Sequence, residues 1–217
     1  MSLLEREKNL LAQLRAVGPD GAALFAAACA ERLRPIVRRV SLDAQVAVAA
    51  VALDGLWRVL AGAERPEILK ELAQSCRAAL PPEDESMGGG PDVYLEDAVA
   101  AAYYALEAHR LRDAQQAIWA ARRGHEAADH CVLSRLSGPV TIDAKLGEAS
   151  ARDPLVFSEL QHQDRDIREI VTVLGAGGAL PALATTLRER AVVEGQKFVE
   201  ALLGDSEYVV TPLDEKE

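Results

Sequence analysis

Histidine and carboxylate residues stand at metal-ligand spacing in two stretches of the sequence. His125 and Asp129 lie one helical turn apart in the string HEAADH, close enough for two side chains to share a metal ion. The string lacks the second histidine of a zinc HExxH motif. Glu159 and His162 form an ExxH pair, half of the set that helical bundles use for two iron atoms, but the chain has no second ExxH. We therefore predict solvated or core-edge roles for these residues, with no metal and no cofactor.

Two polar residues interrupt apolar helical patterns and therefore require partners. Asp54 stands in an otherwise apolar stretch, and a buried carboxylate is costly unless a cation and hydrogen bonds receive it. Arg32 shares a predicted helix face with Cys29, so we predict a buried Arg32–Asp54 pair. Gln163 interrupts a second apolar stripe, with Glu159 one turn before it. We interpret these residues as a polar cluster between helices that is structural rather than ligand-binding.

Start and stop signals divide the chain into seven or eight predicted helices, with the separation of the fifth and sixth left open. Ser2 with Glu5 forms a capping box, Gly18 ends the first helix, and Asp153 caps the seventh. Pro35 is expected to kink or stop the second. The predicted helices cover about 2–17, 20–35, 43–60, 66–80, 93–109, 113–136, 154–174 and 181–203.

These elements predict an all-α fold, a single compact helical bundle that spans residues 1–204. The third predicted helix is apolar nearly all round, so we expect it at the centre of the bundle. Residues 81–92 (PPEDESMGGGPD) are rich in glycine and acid and predict a mobile loop. Residues 205–217 predict a flexible acidic tail.

Composition excludes several classes of function. The formal net charge of −10 repels the phosphate backbone, so nucleic acid is not expected as a ligand. The longest apolar run, residues 44–53, is far shorter than the roughly 20 residues that a membrane-spanning helix needs. No secretory signal is visible. Three widely spaced cysteines are typical of reduced thiols, and we predict a cytoplasmic protein.

Several short motifs resemble those of the YjaG-like family of bacterial proteins, which is defined by sequence and has no established activity. The resemblance spans residues 10–203 approximately. It implies an all-helical cytoplasmic protein and supplies no mechanism. The matching positions are Glu31, Arg32 and Pro35 (ERxxP), Leu53, Asp54 and Trp57 (LDxxW), Asp97 with Ala98, and Pro154, Val156, Glu159 and Gln163 (PxVxxExxxQ).

Three functions fit the sequence, and an enzyme is the less favoured class. The first is an acidic module that binds a basic protein partner, for example in the manner of a toxin-neutralising immunity protein. The second is a metal-dependent or small-ligand enzyme built on the polar cluster. The third is a structural homo-oligomer. The candidate polar cluster comprises Glu31, Arg32, Asp54, Trp57, Glu159 and Gln163.

Overall fold

A long run of small apolar residues forms the centre of the fold. In the computed structural model, which describes residues 2–40, 44–81, 91–137 and 150–203, every side chain from Ala22 to Ala30 is buried. Alanine has the highest helix propensity and lets neighbouring helices approach closely. The helix that carries this run packs against five others. The core of the protein therefore surrounds residues 22–30.

Seven helices make up the described ranges, and no strand occurs in them. The all-α prediction of a compact helical bundle is confirmed. No helix in these ranges is long and apolar enough to cross a bilayer. The helices are α1 (Leu3–Val40), α2 (Ala44–Leu60), α3 (Ile68–Ala79), α4 (Pro91–Leu111), α5 (Ala114–Ser137), α6 (Pro154–Gly175) and α7 (Leu180–Leu203).

Helix ends follow the predicted signals in several places. Ser2 and Glu5 form the capping box, with the Glu5 N–H donating to Ser2 Oγ at 3.3 Å and the Ser2 N–H donating to Glu5 Oε2 at 2.9 Å. Asp153 caps α6 by accepting a hydrogen bond from the Leu155 N–H at 2.8 Å. Arg112, with a φ of 55°, separates α4 from α5, which settles the open question about these two helices.

Some predicted boundaries and positions are wrong. Gly18 (φ 78°, ψ 176°) breaks the helical backbone as expected, whereas α1 continues through Pro35, so a stop at that proline, one of the two expected outcomes, is wrong. A proline costs one main-chain hydrogen bond, and the packing around α1 tolerates that loss. The third predicted helix, now α2, is not central, because Val51 and Arg58 face solvent. The predicted tail 205–217 and residues 82–90 of the predicted loop 81–92 lie outside the described residues, and α4 already begins at Pro91.

Candidate functional site

Arg32 is buried among carboxylates where α1 meets α6. It is 1% exposed, and its guanidinium forms a two-point pair with Glu159, from Nε to Oε2 at 2.9 Å and from Nη2 to Oε1 at 3.1 Å. Its Nη1 donates to Asp166 Oδ2 at 2.7 Å. Two-point arginine–carboxylate pairs are among the strongest charge-assisted hydrogen bonds. We call Arg32, Glu159, Gln163, Asp166 and Glu194 the Arg32 cluster.

Two outer arginines complete the pairing of Asp166. Its Oδ1 accepts from Arg165 Nη2 at 2.8 Å and from Arg190 Nη2 at 2.9 Å. Arg165 also pairs with both oxygens of Glu194, at 2.5 and 3.0 Å, and so joins α6 to α7. Burial alone would raise the pKa of Asp166, but Arg32 and Arg165 together hold it below its usual range. Asp166 therefore stays ionised at neutral pH.

Gln163 links the Arg32 cluster to α5 and to the start of α1. Its Nε2 donates to Glu159 Oε1 at 2.8 Å and to the Ala121 carbonyl at 2.9 Å. Its Oε1 accepts from Arg6 Nη1 at 3.0 Å. Both ends of the amide are thus used, as a buried polar group requires. Gln163 orients Glu159 toward Arg32.

Two glycines allow the helices to come this close. A Cβ at Gly124 would lie 2.8 Å from Glu159 Oε1, and one at Gly195 would lie 2.6 Å from the Arg32 carbonyl oxygen. At Gly195 the close atom is backbone, which cannot move aside, and at Gly124 it is the end of a side chain that Arg32 already holds, so contact rather than backbone conformation favours glycine at both positions. The approach of α5 and α7 to the Arg32 cluster depends on both residues.

The predicted Arg32–Asp54 pair is wrong. Asp54 receives Arg34, through hydrogen bonds of 2.9 and 2.7 Å, and Arg188 from α7. Its side chain is 39% exposed because α2 presents it at the edge of the bundle. Arg34 and Arg188 hold the pKa of Asp54 below its usual range, although partial burial opposes them. The expectation that Asp54 is deeply buried is therefore also wrong.

The remaining two candidate residues form a separate contact beside Asp54. Trp57 Nε1 donates to Glu31 Oε2 at 2.8 Å, and Arg34 Nη1 donates to Glu31 Oε1 at 3.1 Å. Glu31 is buried, so these donors replace the water that it loses on folding. The six candidate residues thus fall into two groups, which meet at the adjacent α1 positions 31 and 32. The first group is Arg32, Glu159 and Gln163, and the second is Glu31, Asp54 and Trp57.

We expect Trp57→Phe to reduce the free energy of unfolding by about 2 kcal/mol, because it removes an N–H donor from a buried carboxylate while keeping an aromatic ring. Urea denaturation measures the change. Trp119→Phe is the matched control, since Trp119 is partly exposed and the same substitution there should change stability by less than about 0.5 kcal/mol. Equal changes in the free energy of unfolding would show that the hydrogen bond from Trp57 to Glu31 does not stabilise the protein.

The residues at metal-ligand spacing do not form a shared site. His162 Nδ1 stands 4.0 Å from Glu159 and 3.8 Å from Glu194, but both carboxylates are committed to arginines. Asp129 accepts a hydrogen bond from the Ser150 hydroxyl. Within the described ranges, no three histidine, cysteine or carboxylate side chains are arranged to hold a metal ion. Glu159 and Glu194 instead converge on the guanidinium of Arg32.

The titration of His162 gives a pH-dependent expectation. Burial lowers the pKa of His162 below its usual 6.5, although Glu194 and Glu159 partly oppose this. Because the unfolded chain then binds a proton more readily, the stability contributed by neutral His162 is present above pH 6.5 and lost as the pH falls through the lower folded value. We expect His162→Gln to reduce the stability that the protein loses when the pH falls from about 7.5 to about 5.5. Thermal unfolding at each pH measures this loss.

His130 supplies the control of opposite sign. Asp97 raises the pKa of His130, so this histidine stabilises the fold below pH 6.5 and stops doing so as the pH rises through its folded value. His130→Gln should therefore enlarge the destabilisation on acidification. If both histidine variants shift the pH profile in the same direction, the assignment of the two environments is wrong.

A shallow hollow borders the Arg32 cluster on its α5 side. Arg6, Arg122, His125 and Gln163 line it together with apolar side chains of α1, α5 and α6. Arg122 is held by both oxygens of Glu7 at 2.9 and 2.8 Å. Burial lowers the pKa of His125, so this histidine is neutral at pH 7. Arg6, Arg122 and Gln163 thus already donate to or accept from protein atoms.

Sequence reasoning missed two members of the Arg32 cluster, Asp166 and Glu194. It also missed the two outer arginines that pair with them. One signal was present for Asp166. It lies seven residues after Glu159 and three after Gln163, so it falls on the same buried face of α6 as Val156 and Ile170. Glu194 carries the same kind of signal, since it lies at helical spacing with Leu187, Ala191 and Phe198, whereas the exposed acids of α7 lie off this stripe.

Comparison with known proteins identifies a solved structure with a similar fold. A scan against protein-family models and a search of curated proteins both found no match. Among solved structures, the chain is similar to a DUF416 family protein from Shewanella baltica OS155, with a TM-score of 0.65 and 18% sequence identity, over 84% of this chain and 93% of that one. The two proteins share an all-α fold.

Proposed function

We propose that the chain is an acidic cytoplasmic module that binds a basic protein partner. The observation that supports this most is the closure of the Arg32 cluster: Arg32, Glu159 and Asp166 are all at most 3% exposed, and their charged atoms are paired with one another. A reaction site needs groups that are free to meet a substrate. These side chains instead join α1 to α6 and α7, so we assign them to architecture.

The distribution of charge supports a partner of opposite sign. Residues 81–92 carry four acidic and no basic residues, and residues 205–217 carry five acidic residues and one lysine. These two segments therefore hold eight of the ten net negative charges of the chain. Concentrated charge accelerates association with an oppositely charged protein and makes the affinity dependent on salt.

The test is capture of partners from a lysate with the full chain as bait, followed by identification and by a repeat in about 1 M salt, where the Debye length falls to about 3 Å. We expect a basic protein that is lost in high salt. The loop variant changes Glu83, Asp84, Glu85 and Asp92 to the corresponding amides. The matched control makes the same change of charge at four exposed positions outside the two acidic segments, Glu67, Glu71, Glu189 and Glu200.

Loss of the partner with the loop variant but not with the control supports the proposal. Capture that is equal with both variants and unchanged by salt would overturn it. The three cysteines are all buried thiols, which is consistent with a reducing compartment.

The two alternative functions have less support. The enzyme alternative needed an open cluster of unpaired carboxylates, and the described carboxylates of the Arg32 cluster are paired. For the homo-oligomer, the large exposed apolar side chains are spread over five helices, and isolated exposed apolar residues are ordinary on a monomer. Light scattering of the purified chain measures self-association directly.

We also propose that the chain is a distant member of the family represented by the DUF416 protein from Shewanella baltica. The fold likeness over most of both chains supports this, together with the motifs that resemble the YjaG-like family. Membership predicts that the two-point Arg32–Glu159 pair has a counterpart at the same crossing of helices in that protein.

A further inference from the structure

The first part of α1 is attached to the bundle along a narrow seam. We call residues 3–17, which precede the break at Gly18, the α1 arm. Within the α1 arm only Arg6, Leu10 and Leu14 are buried, and they follow one another at steps of four residues on one side of the helix. By contrast, every side chain of residues 22–30 is buried. The α1 arm therefore packs as an amphipathic helix on the surface of the bundle.

The buried side of the α1 arm lies in a groove between α5 and α6. Arg6 donates to Gln163 Oε1 at 3.0 Å, to the Leu160 carbonyl at 3.1 Å and to Asp164 Oδ1 at 2.7 Å. One turn later, Leu10 lines the hollow described above together with Leu160. The groove therefore receives an arginine followed four residues later by a leucine. We call the following residues the α5–α6 groove: Ile118, Ala121, Arg122, Leu160, Gln163 and Asp164.

Packing does not fix the break at Gly18. Gly18 is the residue of α1 with non-helical φ and ψ, and a Cβ there would meet nothing within 4 Å. A change of Gly18 to helical φ and ψ would make α1 continuous and carry the α1 arm off its own groove. Pro19 disfavours this change, because a residue before proline avoids the helical region and because proline lacks the N–H that a continuous helix uses. The bent form is therefore favoured within one chain.

We infer that the α5–α6 groove also binds the α1 arm of a second copy of this chain, in a domain-swapped dimer with straightened α1 helices. A second copy presents the same arginine and leucines at the same spacing, so it makes every contact described above without a new surface. The short connection at Gly18 gives a chain's own arm an effective concentration in the millimolar range, so the bent monomer predominates in dilute solution. This inference is independent of the proposed function.

The test measures the molecular mass of the full chain and its variants by size-exclusion chromatography with light scattering. The hinge variant combines Gly18→Ala with Pro19→Ala. Alanine is strained at position 18 in the bent form, and at position 19 it restores the N–H of a straight helix. Removal of the proline alone favours the straight helix by about a hundredfold per chain. We expect the hinge variant to have twice the monomer mass at about 100 µM, where the intact chain is monomeric.

Three further variants serve as controls. Gly62 also has a positive φ, 72°, and open space at its Cβ position, but it lies between α2 and α3, so Gly62→Ala should leave the chain monomeric. Adding Arg6→Ala to the hinge variant should raise the dissociation constant of the dimer at least about tenfold, because the α1 arm then loses its hydrogen bonds to the groove. Adding Arg15→Ala, on the exposed side of the arm, should change it less than about twofold.

Two results would overturn the inference. One is a hinge variant that stays monomeric, and the other is a dimer that Arg6→Ala leaves intact, because such a dimer would use another surface. Circular dichroism verifies that each variant is folded. If the variant with Arg6→Ala fails to fold, Asp164→Asn weakens the same contact from the groove, at a side chain that is 54% exposed, and decides the matter. The proposed function is judged separately, by the salt-sensitive capture of a partner.

Discussion

Arg32→Ala should lower the free energy of unfolding by about 4 kcal/mol, the largest effect that we expect from a single substitution. The change leaves Glu159 and Asp166 buried without their principal cation, and stranding a buried charge typically costs about 3–5 kcal/mol. Chemical denaturation followed by circular dichroism measures it. Arg32→Lys should recover part of the loss, because a lysine keeps the charge but cannot make the two-point pair with Glu159.

Arg188→Ala is the control for this prediction. Arg188 pairs with a partly exposed Asp54 that retains Arg34, so its removal should cost less than about 1 kcal/mol. The deficit of Arg32→Ala should also shrink toward about pH 4, where carboxylates freed from Arg32 take up protons. A deficit below about 1 kcal/mol at pH 7 would show that the Arg32 cluster is not holding the helices together.

Gly195→Ala should also destabilise the protein, by about 3 kcal/mol, although alanine is the better helix former. Inside a helix the exchange normally stabilises by about 1 kcal/mol. Here the new Cβ would lie 2.6 Å from the Arg32 carbonyl oxygen, and backbone cannot yield as a side chain can. α7 would have to move away from α1. The midpoint of urea denaturation reports the change.

Gly175→Ala provides the comparison, since a Cβ at the end of α6 meets nothing within 4 Å. We expect that substitution to be neutral or slightly stabilising. Opposite changes in stability from these two glycine-to-alanine substitutions would show that α1 and α7 are in close contact at Gly195. This test does not depend on any charged group. Gly195→Ala with unchanged stability would show that the two helices pack less closely than the structure has them.

The arrangement of helices was predictable because its signals are local. The cap at Asp153 and the stripe through Val156, Gln163 and Ile170 both belong to α6 alone, and both appear where the sequence placed them. The interruption at Gly18 is likewise a property of one residue and its neighbours. Periodicity also identified Gln163 and Glu159 as buried polar residues, because a helix face is a property of spacing.

The choice of partners was not predictable, because it depends on which helices cross. Spacing placed Arg32 on a buried face correctly, but it could not indicate that α6, rather than α2, lies against that face. Asp54 interrupts an apolar stretch, yet the bundle leaves that part of α2 at its edge and gives Asp54 two arginines distant in sequence. The spacing of Glu194 places it on the buried face of α7, but its partner Arg165 follows only from the crossing of α6 and α7.

The break at Gly18 divides α1 into two units with different opening behaviour. A straight helix of 38 residues would be about 57 Å long, and the break at Gly18 redirects its first turns. Residues 3–17 are held mainly by Leu10, Leu14 and the contacts of Arg6 and Glu7. Their amide protons should therefore exchange with solvent through local unfolding, while those of residues 22–30 exchange only when the whole molecule unfolds.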